Sequence, residues 1–212
     1  MTKVLIIGGH GKIALLAAPL LVAQGDEVTS VVRKQEQFDD VRATGAEPLL
    51  LDVESADVDA LAEAFKGYDV VVWSAGAGGG SPERTYAVDR DAAIRSIDAA
   101  QRDGARYVMV SYFGAGPDHG VPPDNSFFAY AEAKAAADQH LTASGLNWTL
   151  LQPSSLTLAE PTGRIDADAT EGTQVSRGNV ARVIAAVVAA GDAAAGRTIA
   201  FNDGDTPIDQ VL

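Results

Sequence analysis

The sequence contains no cysteine. Disulfide bonds, thiolate metal sites and a cysteine nucleophile are therefore excluded, and a reducing compartment is permitted. On this basis we expect a cytoplasmic protein. The three histidines, His10, His119 and His140, do not stand at metal-ligand spacing with one another or with carboxylates, so we predict no metal site.

Basic residues are scarce. The chain has 16 Lys and Arg against 29 Asp and Glu, a formal net charge of −13 at pH 7, and no basic run. Attraction to nucleic acid or to an anionic membrane is therefore unfavourable, and neither is expected as a partner. A ligand that carries phosphate must be held by local groups.

Long apolar segments and several catalytic motifs are also missing. The apolar stretch at residues 14–23 is too short to span a bilayer. There is no Gly-x-Ser-x-Gly elbow and no Walker sequence, so hydrolases and nucleoside triphosphatases lack their motif here. No linker or repeat divides the 212 residues, which predicts a single domain over residues 1–212.

Short β-branched apolar runs alternate with longer amphipathic segments. This alternation predicts an α/β fold, with a doubly wound parallel sheet and helices on both faces. The predicted strands are 3–7, 27–32, 47–51, 69–74, 106–111, 147–152 and 197–201. The predicted helices are 11–24, 36–44, 56–66, 84–103, 125–144 and 178–190.

The first predicted strand runs directly into a glycine turn that opens a helix. The spacing fits both Gly9-x-Gly11-x-x-Ala14 and Gly8-x-x-Gly11-x-x-Ala14, two forms of the dinucleotide-binding fingerprint. Glycines allow close approach of the backbone to phosphates, and the start of a helix stabilises an anion. A plain strand-to-helix turn is the alternative. The residues assigned to a pyrophosphate cradle are Gly8, Gly9, His10, Gly11, Lys12 and Ile13.

Particular residue types follow the other strands, at the edge where ligands of open parallel sheets bind. Arg33 and Lys34 follow the second strand, with no acid until Glu36, which favours NADP(H) over NAD(H) because a cation meets a 2′-phosphate. Asp52 and Val53 follow the third strand, where the carboxylate can accept from an adenine amino group or cap a helix. A low-bulk edge for ribose and nicotinamide follows the fourth strand, at Ser74, Ala75 and Gly76.

The catalytic candidates are Ser111, Tyr130 and Lys134. Tyr130 and Lys134 stand four residues apart on a predicted helix and share one face. A neighbouring cation favours phenolate, so we expect Lys134 to lower the pKa of Tyr130 and to make it a general acid. Lys134 is also assigned to the nicotinamide ribose, and Ser111 to orienting the acceptor oxygen. A Tyr-x-x-x-Lys pair also occurs in many helices without such a role.

These segments resemble the atypical short-chain dehydrogenase/reductases of the compact NAD(P)H-binding group, which is NmrA-like or epimerase/dehydratase-like. The resemblance implies a Rossmann-type sheet, a bound nicotinamide dinucleotide, and Pro153 near the nicotinamide, but no substrate. The resembling segments are Ile7-Gly-Gly-His-Gly-Lys-Ile-Ala14, Val31-Val-Arg33, Leu51-Asp-Val53, Tyr130-x-x-x-Lys134 with Ala137-Asp138, Ser144-Gly-Leu-Asn-Trp-Thr-Leu-Leu-Gln-Pro153, and Val175-Ser-Arg-Gly-Asn-Val-Ala181.

Two departures from the family pattern matter. Gln152 stands where an arginine commonly precedes the proline, and only residues 154–212 follow Pro153. Epimerases of this pattern usually carry a larger C-terminal substrate domain, so we do not expect a nucleotide-sugar pocket. We expect a small C-terminal extension, with 112–125 and 154–177 as substrate-side loops.

Together these features predict an enzyme, an NADP(H)-dependent oxidoreductase that reduces a small carbonyl or a quinone- or flavin-like acceptor. Two alternatives remain open: a non-catalytic NADP(H) sensor, and an epimerase or dehydratase that uses nicotinamide transiently. A small molecule is the expected substrate. The apolar faces of the long helices are compatible with a homo-oligomer as well as with a packed core.

Overall fold

The computed structural model describes residues 1–79 and 81–211. Within them the strands form a nine-stranded sheet in the order β11-β8-β10-β6-β5-β4-β1-β2-β3 and a separate pair, β7-β9. The strands are β1 (Lys3–Ile7), β2 (Glu27–Val32), β3 (Glu47–Leu50), β4 (Val70–Trp73), β5 (Arg106–Val110), β6 (Trp148–Pro153), β7 (Ser155–Thr157), β8 (Arg164–Asp166), β9 (Gln174–Ser176), β10 (Arg197–Asp203) and β11 (Thr206–Pro207).

The seven longer neighbouring strands, from β10 to β3, are all parallel, and β8 and β11 extend the sheet antiparallel at one edge. In β1 the side chains of Val4 and Ile6 enter one apolar core, whereas Leu5 and Ile7 enter the other. This alternation arises because successive side chains of a strand point to opposite faces. A strand buried on both faces therefore has a continuous apolar run.

Helices cover both faces of the sheet. On one face α1, α2 and α7 pack into the first core, and on the other face α3, α5 and α6 pack into the second. The α-helices are α1 (Ala14–Ala23), α2 (Phe38–Arg42), α3 (Val58–Phe65), α4 (Pro82–Thr85), α5 (Ala93–Asp103), α6 (Phe128–Ala143) and α7 (Arg177–Ala190). Short 3₁₀ helices cover Gln35–Gln37, Gly191–Ala194 and Ile208–Gln210.

The chain from α4 to α5 is helical throughout, but its hydrogen-bonding pattern changes in the middle. Between the two α-helices, Tyr86–Ala92 is a π-helical segment. Such segments are wider than an α-helix and occur frequently at functional sites. This segment carries Asp89, which is 1% exposed.

The prediction of a doubly wound α/β fold is confirmed, and the seven predicted strands correspond to β1–β6 and β10. The short strands β7, β8, β9 and β11 were not predicted. Residues 154–177, expected to be a loop, include three of these strands, of which β8 pairs with β10 at the sheet edge. Residues 112–125 have no helix or strand. That both segments face a substrate stays a prediction.

No helix within the described part of the chain is both long enough and apolar enough to cross a membrane.

One buried hydrogen bond in the second core gives a test of the packing. The hydroxyls of Ser96 and Tyr107 are 2.7 Å apart, and both residues are 0% exposed. Ser96→Ala leaves the Tyr107 hydroxyl buried without this partner, so we expect the free energy of unfolding to fall by about 1–3 kcal/mol.

The double variant Ser96→Ala/Tyr107→Phe removes both partners and should recover most of that loss, as measured by urea unfolding. A double variant less stable than Ser96→Ala would show that this hydrogen bond is not the source of the effect.

Candidate functional site

Two adjoining cavities lie at the carboxyl ends of the parallel strands. Their volumes are about 520 and 640 Å³, and they share the wall formed by residues 74–79. The first cavity lies beside the glycine turn and the ends of β1, β2 and β4. The second lies between that shared wall, the end of β5 and the start of α6. Together they form a divided groove along one edge of the sheet.

The glycine turn lies so close to its neighbours that side chains are excluded. A Cβ at Gly9 would lie 2.4 Å from the Cβ of Ser30 on β2. Gly8 has φ +81°, and a Cβ there would lie 2.6 Å from the Cα of Ala75. Both distances are shorter than any van der Waals contact, so the turn requires glycine at these two positions.

Not every amide of the turn is available to a ligand. The Gly9 amide donates to the carbonyl of Val31, and the Gly11 amide donates to that of Gly8, each at 2.8 Å. Within the described residues, the amides of Lys12 and Ile13 donate no hydrogen bond. These free amides, immediately before α1, fit an anionic group such as a pyrophosphate.

His10 lies on the wall of the first cavity. Its Nε2 is 2.7 Å from a carboxylate oxygen of Asp40, and its Nδ1 is 3.1 Å from the side-chain nitrogen of Gln37. These bonds join the turn to α2. Lys12 is exposed and lines neither cavity, so its assignment to the phosphates stays a prediction.

Arg33 follows β2 and lines the first cavity. It is exposed, and within the described residues its guanidinium forms no ion pair or hydrogen bond. A charged group with no protein partner at the wall of a cavity is available to an anionic ligand.

Asp52 and Val53 also line the first cavity. One oxygen of Asp52 accepts from the amide of Glu54 at 3.1 Å, so this carboxylate stabilises a turn. The following helix, α3, is instead capped by Asp57, which accepts from the Ala60 amide at 2.8 Å. Asp52 therefore does not cap the helix, and its role toward adenine stays a prediction.

The shared wall carries Ser74, Ala75 and Gly76, as the low-bulk edge expected from the sequence. Two charged side chains hold its continuation. The Arg84 guanidinium donates to the carbonyl of Ala77 at 2.7 Å, and the Ala77 amide donates to Asp89 at 3.0 Å. Both carbonyl and amide of one residue in the wall are thus fixed by side chains from the α4–α5 helical stretch.

Ser111 and Tyr130 both line the second cavity. The Ser111 hydroxyl donates to Asp138 at 2.6 Å, so its proton points to a protein carboxylate. Burial raises the pKa of Asp138, while Lys134 and the Ser111 hydrogen bond lower it. The structure brings the two hydroxyls to one cavity; their catalytic role stays a prediction.

The expected effect of Lys134 on Tyr130 is wrong. Burial, followed by the carboxylates of Asp89 and Asp138, raises the pKa of Tyr130 above its ordinary value. The Lys134 ammonium donates to the carbonyl of Val110 at 2.8 Å, and the residue is 1% exposed. Sharing a helix face with Lys134 is therefore not enough to lower the pKa of Tyr130, because burial and the charges of Asp89 and Asp138 raise it.

Lys134 and Pro153 line neither cavity. Pro153 ends β6, is buried, and its carbonyl accepts from the Phe113 amide at 2.8 Å. Their assignments to the coenzyme stay predictions.

Several residues at the cavities were missed by the sequence reasoning: Arg84 at the first, and Asp89, Phe127 and Leu156 at the second. A signal for Asp89 was present in the sequence. It stands four residues after Thr85 and three before Ala92, on the apolar stripe of a predicted helix, where a carboxylate requires a special reason.

A family profile described as NAD(P)H-binding matches residues 8–190 of the chain. The uncharacterized sugar epimerase YhfK of Bacillus subtilis is 34% identical over 216 residues, which cover 99% of this chain and 98% of that protein.

Two solved structures have the same fold as this chain over nearly its whole length. A candidate NAD-dependent epimerase/dehydratase from Bacillus halodurans superposes with a TM-score of 0.90 and 31% identity, covering 100% of this chain and 98% of that one. The oxidoreductase ylbE from Lactococcus lactis superposes with a TM-score of 0.86 and 25% identity, covering 98% and 94%.

The tight contact of the turn gives a direct test of the site. Gly9→Ala places a methyl group within 2.4 Å of the Ser30 Cβ, and the turn must move away from β2. We expect a loss of about 1–3 kcal/mol in unfolding free energy, together with weaker coenzyme binding in a fluorescence titration.

Gly145→Ala is the matched control, because a Cβ at Gly145 meets no atom within 4 Å. Equal stability and equal coenzyme affinity of the Gly9 and Gly145 variants would contradict the described turn.

Proposed function

The chain belongs to the NAD(P)H-binding family, and from this membership we propose that it is an NADP(H)-dependent oxidoreductase that reduces a small carbonyl or a quinone- or flavin-like acceptor. The resemblance to compact NAD(P)H-binding, epimerase/dehydratase-like proteins is confirmed, and a nicotinamide dinucleotide is the coenzyme. The observation that carries the proposal is the divided groove, which has a free guanidinium in one cavity and two hydroxyls in the other.

The preference for NADP(H) rests on Arg33. A 2′-phosphate needs a cation, whereas a free 2′-hydroxyl is met by an acid at the end of the second strand. Here β2 ends in Val32, and Arg33 and Lys34 follow it. Two acids line the same cavity, but both have protein partners. Asp52 accepts from a backbone amide, and Glu54 lies 3.5 Å from the Arg84 guanidinium, so we do not assign either to a ribose 2′-hydroxyl.

When bound, the reduced coenzyme supplies the hydride that the acceptor carbon takes up. The acceptor oxygen then holds the electron pair of its former double bond, and the Tyr130 hydroxyl donates a proton to it. Because burial raises the pKa of Tyr130, the phenol is protonated at neutral pH. The alkoxide formed from a carbonyl acceptor is a stronger base than this phenolate, so for that acceptor class the proton transfer is downhill, and water returns the proton to Tyr130.

An epimerase reaction is the competing proposal, because similar proteins carry that name. It predicts product without net consumption of coenzyme, whereas a reductase consumes NADPH in proportion to acceptor. The third possibility, a sensor, predicts tight binding with no turnover. A panel of neutral carbonyls, quinones and flavins, followed by NADPH absorbance and by product analysis, separates the three.

The coenzyme preference is tested at Arg33. Arg33→Asp removes the cation and places a carboxylate against the 2′-phosphate, so we expect the Kd for NADPH to rise by about tenfold or more while that for NADH changes little. Isothermal titration of both coenzymes gives the two constants.

Arg182→Asp is the control for net charge, because Arg182 is an exposed residue of α7 that lines neither cavity. An equal effect of the Arg33 variant on both coenzymes would remove the assignment of the 2′-phosphate to this side chain.

The proton donor is tested at Tyr130. Tyr130→Phe keeps the aromatic ring but removes the hydroxyl, so we expect kcat for a carbonyl acceptor to fall by about 10²- to 10⁴-fold with nearly unchanged affinity for NADPH. Stopped-flow measurement of coenzyme oxidation gives the rate.

Tyr68→Phe is the matched control, since Tyr68 precedes β4 and so lies at the amino ends of the strands, away from the cavities. An undiminished rate for Tyr130→Phe would exclude the phenol as the proton donor but would leave the coenzyme site intact.

A further inference from the structure

The second cavity has an unusual charge distribution for a protein whose relatives include a named sugar epimerase. Among the described residues that line this cavity, Asp89 is the only acid, and there is no Lys or Arg. A nucleotide sugar brings two phosphates, and phosphate sites in proteins are lined by Arg, Lys or free backbone amides.

The cations nearest to this cavity are already engaged. Lys134 donates to the carbonyl of Val110 from a buried position. Burial raises the pKa of Asp89 and of Asp138, and the charge of Lys134 opposes that rise at both carboxyl groups. Arg84 donates to the Ala77 carbonyl on the shared wall, and it lines the first cavity. Lys134 and Arg84 are thus engaged with protein acceptors, and neither lines the second cavity. The free amide of Ile13, which does line it, is assigned to the coenzyme.

A third cation lies behind Leu156. The Arg177 guanidinium donates to the carbonyls of Leu156 and Thr157 at 3.4 and 3.0 Å. This side chain lines neither cavity. Arg177 thus fixes the backbone at Leu156, whose side chain lines the second cavity.

Apart from the hydroxyl residues Ser74, Thr85, Ser111 and Ser126, the remaining wall is mostly apolar and partly aromatic. Phe127 and Tyr130 line the cavity with ring centroids 5.1 Å apart, and Tyr112 packs behind both at 5.2 and 5.6 Å. Phe127 and Leu156 are 42% and 39% exposed. Large apolar side chains left exposed at a cavity indicate a surface that an apolar ligand covers.

We propose that the acceptor of this site is a neutral, flat aromatic molecule of the quinone or unphosphorylated isoalloxazine class, and that acceptors carrying a phosphate are rejected. The inference rests on the proposed function and narrows it. A ring system packs on Phe127 and Tyr130 with its oxygen toward the Tyr130 hydroxyl. An added phosphate meets Asp89 and apolar side chains, with no cation to pair with it.

Riboflavin and its 5′-phosphate, FMN, form a matched pair of probes, because they share one ring system and differ by a phosphate. We expect riboflavin to bind the NADP⁺-loaded protein about tenfold or more tightly than FMN, measured by quenching of flavin fluorescence, because an unpaired phosphate faces a carboxylate. Reduction by NADPH should follow the same order, and higher salt should narrow the difference.

A variant that adds the missing cation sharpens the test. Leu156→Arg places a guanidinium at the cavity wall and should shift the preference toward FMN by about tenfold. Leu158→Arg is the matched control, since Leu158 lies on the same segment, is 82% exposed and does not line the cavity; it should leave the preference unchanged.

The outcomes separate this inference from the proposed function. FMN binding as tightly as riboflavin, or failure of both to bind, overturns the inference whatever the rates are. Preferential binding of riboflavin without NADPH oxidation supports the assigned ligand class and overturns the reductase. An equal shift in Leu156→Arg and Leu158→Arg would show that total charge, and not the cavity wall, decides the preference.

Discussion

Contact between the glycine turn and two neighbouring strands is the constraint on which the site depends. At Gly9 the backbone of the turn lies against Ser30, and at Gly8 against Ala75, with no space for a Cβ at either position. The same closeness lets the Gly9 amide bond the carbonyl of Val31. The turn is thereby fixed at the carboxyl ends of the strands, and the free amides of Lys12 and Ile13 lie at a set position before α1. Binding of an anion here needs little reorganisation, which suits a protein with a net charge of −13.

The parallel part of the fold could be predicted because its information is local. Six of the seven parallel strands contain short apolar runs with buried residues, whereas β3 at the edge of the sheet is only partly buried. The strands β8 and β11 have no such pattern: they are three and two residues long, and they form because β8 pairs with the edge of β10 and β11 pairs with β8. Likewise the predicted helix at 36–44 is a 3₁₀ turn followed by the five-residue α2. Elements that depend on a tertiary partner leave no periodic signal in the sequence.

The sequence predicts which residues follow the strands, but not how neighbouring charges act on them. Arg33 and Ser74, which follow predicted strands, and Tyr130, on a predicted helix, line the two cavities; their roles stay predictions. The titration of Tyr130 was predicted in the wrong direction because the sequence pairs it with Lys134 alone. In the folded chain Asp89 arrives from a different helix and Asp138 from the next turns of α6. The approach of Asp89 to Tyr130 depends on how two helices pack against each other. Residue spacing along one helix cannot predict it.

The π-helical segment Tyr86–Ala92 has a consequence for how this groove tolerates change in length. A π-helical turn holds one residue more than an α-helical turn, so α4 and α5 are out of phase with a single continuous α-helix. Loss of one residue from the segment would let it close into a regular α-helix and would move the side chains inside it, while α4 and α5 kept their present orientation. The Asp89 carboxylate would then leave the Ala77 amide, while the downstream half kept its seat on the sheet. The wall between the two cavities is thus set by helical phase, and a length change there would act on the groove without touching any residue that lines the glycine turn.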